Sequence, residues 1–416
     1  MSIIEDSYNL AKKIGGKDGL NCIAALDSEA VYLHEKTEEM DTTLPLYGVP
    51  ILVKDNIDVK GFPTTAGSIA LSDNIANEDA PIIKNLRKNG AVILGKTNLT
   101  EFANFVDQSM PNGYSSYGGQ VVHAINPKVD PSGSSTGSGV AVSAGIVPMA
   151  VGTDTSFSVI ACAMYNGICG IKPPVGVLST KGIVPIAKTL DSAGAMAANF
   201  SDALTLYSGM RDEPLGCLEA KDLQSLKIAI NYANYEGLSQ EQKTFFTKIS
   251  DELRASGSYV SKVVQEKTPL LMTIMKYEFR PSLEEYLATS NARYKTLKEI
   301  VEYYESHSDT MMKYGCGLLK AALTETAGGL RAKEYTDAMA IRKTTIQDVI
   351  KEISDYDAVI MTGPTNIMHF CGLPSVTVAS NIKNELGINR ALIMYGANEK
   401  RLYSAALALE NMLRKM

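Results

Sequence analysis

The 416-residue chain reads as an α/β protein, an α/β/α sandwich around a large mixed β-sheet. Three observations predict this. β-Branched runs such as "ILVKDNIDV", "AVILG" and "LPSVTVAS" recur along most of the chain. Amphipathic helical stretches separate them, as crossovers between strands require. No Pro/Ser-rich linker, repeat or low-complexity tract breaks the pattern. A single domain over 1–416 is therefore expected, with a mainly helical covering section at about 268–352.

Taken in order, "EDSYNLAKKI" and "SEAVYLHEKTEEM" carry helical patterning. "ILVKDNIDV" is a strand that stops at the turn "KGFPTTAGS". In "APIIKNLRKNGAVILGKTNLTEFANF" a helix ends at Asn89-Gly90, a buried strand follows, and Thr97-Asn98 opens a further helix. "GSGVAVSAGIVPMAVG" is Gly/Ala-rich and broken by Pro148, so it reads as buried helix then buried strand, not a membrane span. "LKIAINY" and "YVSKVV" flank the helix "SQEQKTFFTKISDELRAS". Beyond the helical section come the strands "DAVIMTG", "LPSVTVAS" and "RALIMYG" and the closing helix "NEKRLYSAALALENMLRKM".

Charge excludes some partners. A net charge of −6 and a pI near 5.5, with basic residues scattered singly or in pairs, argue against a nucleic-acid surface. The N-terminal stretch has acidic residues by position six and no apolar run of signal-peptide length. The six cysteines show no CxxC pair and no zinc spacing, and are expected to be buried reduced thiols in a cytoplasmic protein. Of the four histidines, His34 and His307 lie in charged helical sequence and are expected to be exposed; His123 sits in a loop and His369 near a strand turn. No HExxH or HxH appears, so neither a metal nor another cofactor is expected.

Two arrangements of nucleophile compete. Gly133-Ser-Ser-Thr-Gly137 satisfies G-x-S-x-G with Ser135 at its centre, but that elbow needs a strand immediately before it. Here "INPKVDPSGSS" precedes, with two prolines and no strand signal. Three separated segments fit better. The strand "GVPILVKDN" places Lys54 at its end, the loop "DPSGSSTGSG" offers Ser134, and the turn "GTDTSFS" offers Ser158.

These segments, with "GAVILGKTNLTEFANF", "NGYSSYGGQ", "GIVPIAKTLDSAGAMA" and "KYEFRPSLEEYLA", resemble the amidase signature family, and within it the peptide-amidase-like branch. The likeness runs from "LYGVPILVKDNI" to the C-terminal "ALALE". It implies the amidase-signature fold, consistent with the sandwich above. It also implies Ser158 as nucleophile, Ser134 as a bridging serine preceded by a cis peptide bond, and Lys54 as base. The substrate would be a small-molecule or peptide amide, hydrolysed through an acyl-enzyme.

Physical chemistry allows such a trio. A serine attacks an amide only if its proton has somewhere to go. A lysine desolvated behind "VPILV" can take it as the neutral amine, and a hydroxyl both donates and accepts, so Ser134 can relay. Backbone N–H groups of Thr155, Ser156, Phe157 and Ser158 would hold the oxyanion, and Asp154 would brace the turn through local backbone hydrogen bonds. Thr153 and Thr155 read as turn residues.

The chain departs from the family pattern in several places. Ser156-Phe157 stands where Gly-Gly or Asp-Gly is usual before the nucleophile. A phenylalanine held there at φ > 0 is strained, and its ring can reach the substrate's place. Ser132 replaces a common glycine, Ile160 a frequent arginine, and "TGPTNIMHFCGLPSVTV" lacks residues between "PT" and "GLP". These departures define two alternatives: a weakened or non-hydrolytic binding or scaffold protein on this fold, and an amidotransferase A-type subunit.

Overall fold

The computed structural model describes residues 2–31 and 41–416. His34 and most of "SEAVYLHEKTEEM" lie outside the described residues, and only the 3-10 turn Glu29–Val31 of that stretch lies within them.

Eleven strands form one sheet. They are β1 (Ile23–Leu26), β2 (Pro50–Lys54), β3 (Val92–Thr97), β6 (Met149–Asp154), β7 (Cys169–Lys172), β8 (Ser192–Ala197), β9 (Lys227–Asn231), β10 (Tyr259–Val263), β11 (Ala358–Met361), β12 (Ser375–Lys383) and β13 (Asn389–Tyr395). A small separate hairpin pairs β4 (Tyr114–Ser115) with β5 (Gly119–Gln120). The order in the sheet is β1-β3-β2-β6-β8-β7-β12-β13-β11-β9-β10. Pairing is parallel from β3 through β2 to β6 and from β11 through β9 to β10, and antiparallel elsewhere.

Alternation along the strands supplies two buried faces. Ile51, Val53, Ile228 and Ile360 face one cluster, which the helices Pro81–Lys88, Phe200–Met210, Gln240–Ala255 and Glu399–Lys415 cover through Leu86, Tyr207, Leu253 and Leu409. Leu52, Leu94 and Ala150 point the other way, under the helices Ile3–Ile14 and Thr136–Ser143. Ala229, Val359 and Ile393 lie beneath the helical section, which contributes Ile274, Leu283, Ile300 and Ile353. The sandwich has a helical layer on each face.

Helix ends follow local chemistry. Pro81 opens its helix, and Gly90 at φ 92 lets the chain leave after Asn89. Ser239 and Gln242 form a capping box for Gln240–Ala255.

Two expectations are corrected. No α-helix follows Asn98: the chain instead makes a short 3-10 turn at Glu101–Asn104, with Phe102, Ala103 and Asn104 at φ 46, 53 and 73. The buried Glu101 carboxylate accepts from Ser116 N–H at 2.6 Å and is hydrogen-bonded by Tyr304, so the turn is pulled out of helical register. The cysteines are all free, but Cys217 is exposed while the other five are buried. His307 is exposed as expected.

Candidate active site

Parallel pairing places the site. β2 and β6 run side by side with Val53 opposite Val151, so their C-terminal ends emerge together. β2 delivers Lys54 and β6 delivers Thr153 and Asp154. The "DPSGSS" loop is fastened to this edge by Ser135, whose Oγ donates to Thr153 O at 3.0 Å and accepts from Thr153 N–H at 3.2 Å. Ser135 N–H donates to Ser158 O at 3.2 Å. The G-x-S-x-G serine therefore staples the loop to the sheet, with its hydroxyl engaged by backbone. No described strand runs into it.

Lys54, Ser134 and Ser158 come together. Lys54 Nζ donates to Ser134 Oγ at 2.8 Å, and Ser134 Oγ donates to Ser158 Oγ at 3.0 Å. The peptide bond Gly133–Ser134 is cis, as the resemblance implied. Ser132, where the family often has glycine, takes φ 59. Lys54 and Ser134 are fully buried, and Ser158 lines an open cavity of about 560 Å³ with Phe105, Ile186, Leu271, Met272 and Met275.

Burial pushes the Lys54 amine down from the ordinary lysine range to about 7, against the pull of Asp154 and Asp191. Near neutrality a large share of it is therefore the unprotonated base. Donation from Lys54 through Ser134 to Ser158 is the sense of the chain when lysine is charged. With the amine neutral both hydroxyls can turn, and the same contacts run from Ser158 to Lys54.

Thr153, Asp191 and Asp154 complete the site, and of these Asp191 had no assignment from the sequence. Thr153 Oγ1 accepts from Lys54 Nζ at 2.8 Å and from Asn56 Nδ2 at 3.0 Å, so Thr153 does more than turn the chain. Asp191, whose carboxyl is raised by burial to about 7, accepts from Thr155 Oγ1 at 2.6 Å and from Ile186 and Ala187 N–H. Asp154 Oδ2 accepts from Val159 N–H at 2.7 Å and Ile160 N–H at 3.2 Å, a hold on the turn just after Ser158.

Phe157 has φ 70, the left-handed conformation foreseen for it. Its ring does not cover Ser158. It packs against His369, with centroids 4.4 Å apart, and lines a different cavity beside Met164 and Phe245. Its N–H donates to His369 Nε2 at 2.9 Å. That N–H is thus engaged within the protein, a difference from the expected oxyanion set, leaving Thr155, Ser156 and Ser158 as the donors to consider. His369 Nε2 also lies 3.0 Å from Asp154 Oδ1. One ring nitrogen cannot accept from an amide and donate to a carboxylate at once, so the two contacts exclude one another. Burial lowers the His369 pKa even against Asp154, which keeps the ring neutral. His123 is a loop staple instead: its Nδ1 accepts from Ile125 N–H at 3.1 Å. Among the described residues no group of three or more His, Cys, Asp or Glu side chains is placed to hold a metal ion, and no helix is long and apolar enough to cross a membrane.

A mixed-sheet sandwich thus carries a Lys–Ser–Ser chain of contacts at the ends of its strands. The Amidase family profile matches residues 10–371, and the chain belongs to the amidase signature family. It is 30% identical to a probable amidase of Arabidopsis thaliana over 411 residues, 90% of this chain and 79% of that one. The native peptide amidase of Stenotrophomonas maltophilia superposes with a TM-score of 0.88 at 28% identity, covering 100% of this chain and 94% of that one. The A-type subunit of the glutamyl-tRNA(Gln) amidotransferase of Sulfurisphaera tokodaii is 34% identical over 270 residues, 62% of this chain and 56% of that one. Family membership supports a hydrolase acting on amides.

Proposed function

We propose that the protein hydrolyses small amides or C-terminal peptide amides through an acyl-enzyme on Ser158. One observation carries this: the unbroken contact from Lys54 Nζ through Ser134 Oγ to Ser158 Oγ, at 2.8 and 3.0 Å, with the amine buried. Ser158 Oγ attacks the carbonyl carbon as its proton passes to Ser134, whose own proton passes to neutral Lys54. N–H groups of Thr155, Ser156 and Ser158 receive the oxyanion; each such donor is worth about 10²–10³ in rate. The C–N bond then breaks, the proton returns through Ser134 to the leaving ammonia or amine, and water cleaves the ester by the same relay.

Two features favour this over a non-hydrolytic scaffold. The Phe157 ring lies against His369 instead of over Ser158, and Ser158 opens on a cavity. Similarity to a peptide amidase over the whole chain favours a hydrolase over an amidotransferase component, whose likeness covers 62% of it. A fluorophosphonate probe should label Ser158, and a panel of primary amides should release ammonia. Labelling undiminished in Ser158→Ala would refute the assignment.

A further inference from the structure

A bulky residue occupies a left-handed position immediately before the nucleophile. Glycine adopts φ 70 freely; an L side chain does so sparingly and needs its surroundings to hold it there. Phe157 O accepts from Ala161 N–H at 2.9 Å, while its N–H and its ring are both held by His369, 212 positions away. The N–H donates to Nε2 at 2.9 Å, and the ring contact is at 4.4 Å. His369 is itself fully buried, on the short helical turn Ile367–Phe370. The same Nε2 stands 3.0 Å from Asp154, the carboxylate that holds Val159 and Ile160 N–H on the far side of Ser158. The Phe157 amide before Ser158 and the Asp154 carboxylate that holds the amides after it thus both face one nitrogen, which engages one of them at a time.

We propose that His369 is a positioning residue for catalysis: it clamps Phe157 in the left-handed conformation and so fixes the direction of the N–H groups around Ser158. The inference rests on the amide-hydrolase reading above. Its chemical content is specific. The clamp is needed because residue 157 is not glycine, so the contribution of His369 should vanish when residue 157 becomes glycine.

The test is a double-mutant cycle with His369→Leu and Phe157→Gly, read by initial rates of ammonia release and by the rate of fluorophosphonate labelling. His369→Leu is expected to lower kcat about tenfold or more, the rate equivalent of losing hold of one left-handed residue, with KM little changed. In the Phe157→Gly background the same change is expected to cost less than about twofold. His369→Asn supplies an acceptor for Phe157 N–H and a donor for Asp154 on one side chain, and is expected to restore most of kcat. A role confined to packing predicts equal losses in both backgrounds and no rescue by asparagine; that result overturns the proposal. If the native chain neither labels nor turns over any amide, the hydrolase reading fails, and the clamp is read directly from a crystal structure of His369→Leu. Residue 157 should then have left the left-handed region, and an unchanged φ refutes the clamp.

Discussion

Replacing Thr153 by valine removes the hydroxyl that accepts from Lys54 Nζ at 2.8 Å, leaving Ser134 as its remaining side-chain partner. A hydrogen bond to a charged group contributes roughly 1.5–3 kcal/mol net, against about 1 kcal/mol for a neutral pair. The ammonium form therefore loses about 1–2 kcal/mol more than the amine. At about 1.4 kcal/mol per unit, the Lys54 pKa falls by about one unit. Only the neutral amine accepts the serine proton, so kcat/KM in the native protein should rise with pH through about 7, where burial places Lys54, and fall tenfold per unit below it. In Thr153→Val the limb should sit near pH 6, by the about one-unit drop just derived. Asp191 also titrates near 7, but it contacts Thr155 and not Thr153, so a limb belonging to Asp191 would stay in place. The assay is ammonia release from a primary amide between about pH 5 and about pH 9.5, each profile normalised to its own plateau. A limb that stays put or moves upward in the variant refutes Lys54 as the base. A native limb above about pH 9, near the ordinary lysine range, refutes its desolvation.

Other consequences are as concrete. Ser134→Ala breaks the relay between Lys54 and Ser158 and should lower kcat by about 10²–10⁴ with a smaller effect on KM, measured by steady-state kinetics. Asp357 is buried and accepts from Lys221 at 2.8 Å, Arg401 at 3.0 Å and Lys227 N–H at 2.9 Å; Asp357→Ala returns two partly exposed cations to water but leaves that N–H without its side-chain acceptor, and should destabilise the fold by roughly 1–3 kcal/mol in chemical denaturation. A thiol reagent should find one fast equivalent in the native protein, lost in Cys217→Ser, because the other five thiols are buried and burial pushes Cys22 and Cys162 to about 12.

The parts of the fold legible in the sequence are those set by local periodicity. Each quoted β-branched run lies on a strand, and the helix stop at Asn89-Gly90 and the helix start at Ser239 follow capping chemistry. Lys54, Ser134 and Ser158 were legible through the joint resemblance of their segments to the amidase signature family, since each alone reads as an ordinary strand-end or turn residue. His369 was not: a single histidine after "TNIM", on a four-residue turn, carries no spacing that ties it to a residue 212 positions earlier. Asp191 was quoted within a motif, yet its grip on Thr155 exists only after β6 and β8 pair antiparallel, Asp154 beside Ser192. The stretch after Asn98 misled because "TEFANF" has helical composition, whereas a tertiary contact, Glu101 with Tyr304, decides its backbone. At Cys217 the flanking Glu213 and Glu219 in "DEPLGCLEA" marked a surface segment that apolar neighbours obscured.

The cavity in front of Ser158 is built by two parties. Its reactive edge belongs to the ends of β2 and β6 and the loops fastened to them, while Leu271, Met272 and Met275 come from the helix Leu270–Thr289. Methionine side chains are long, unbranched and easily reshaped. On the hydrolase reading proposed above, exchanging them would redraw the space offered to a substrate and leave the contacts among Lys54, Ser134 and Ser158 in place, so that selectivity and reactivity would be tuned on separate stretches of the chain.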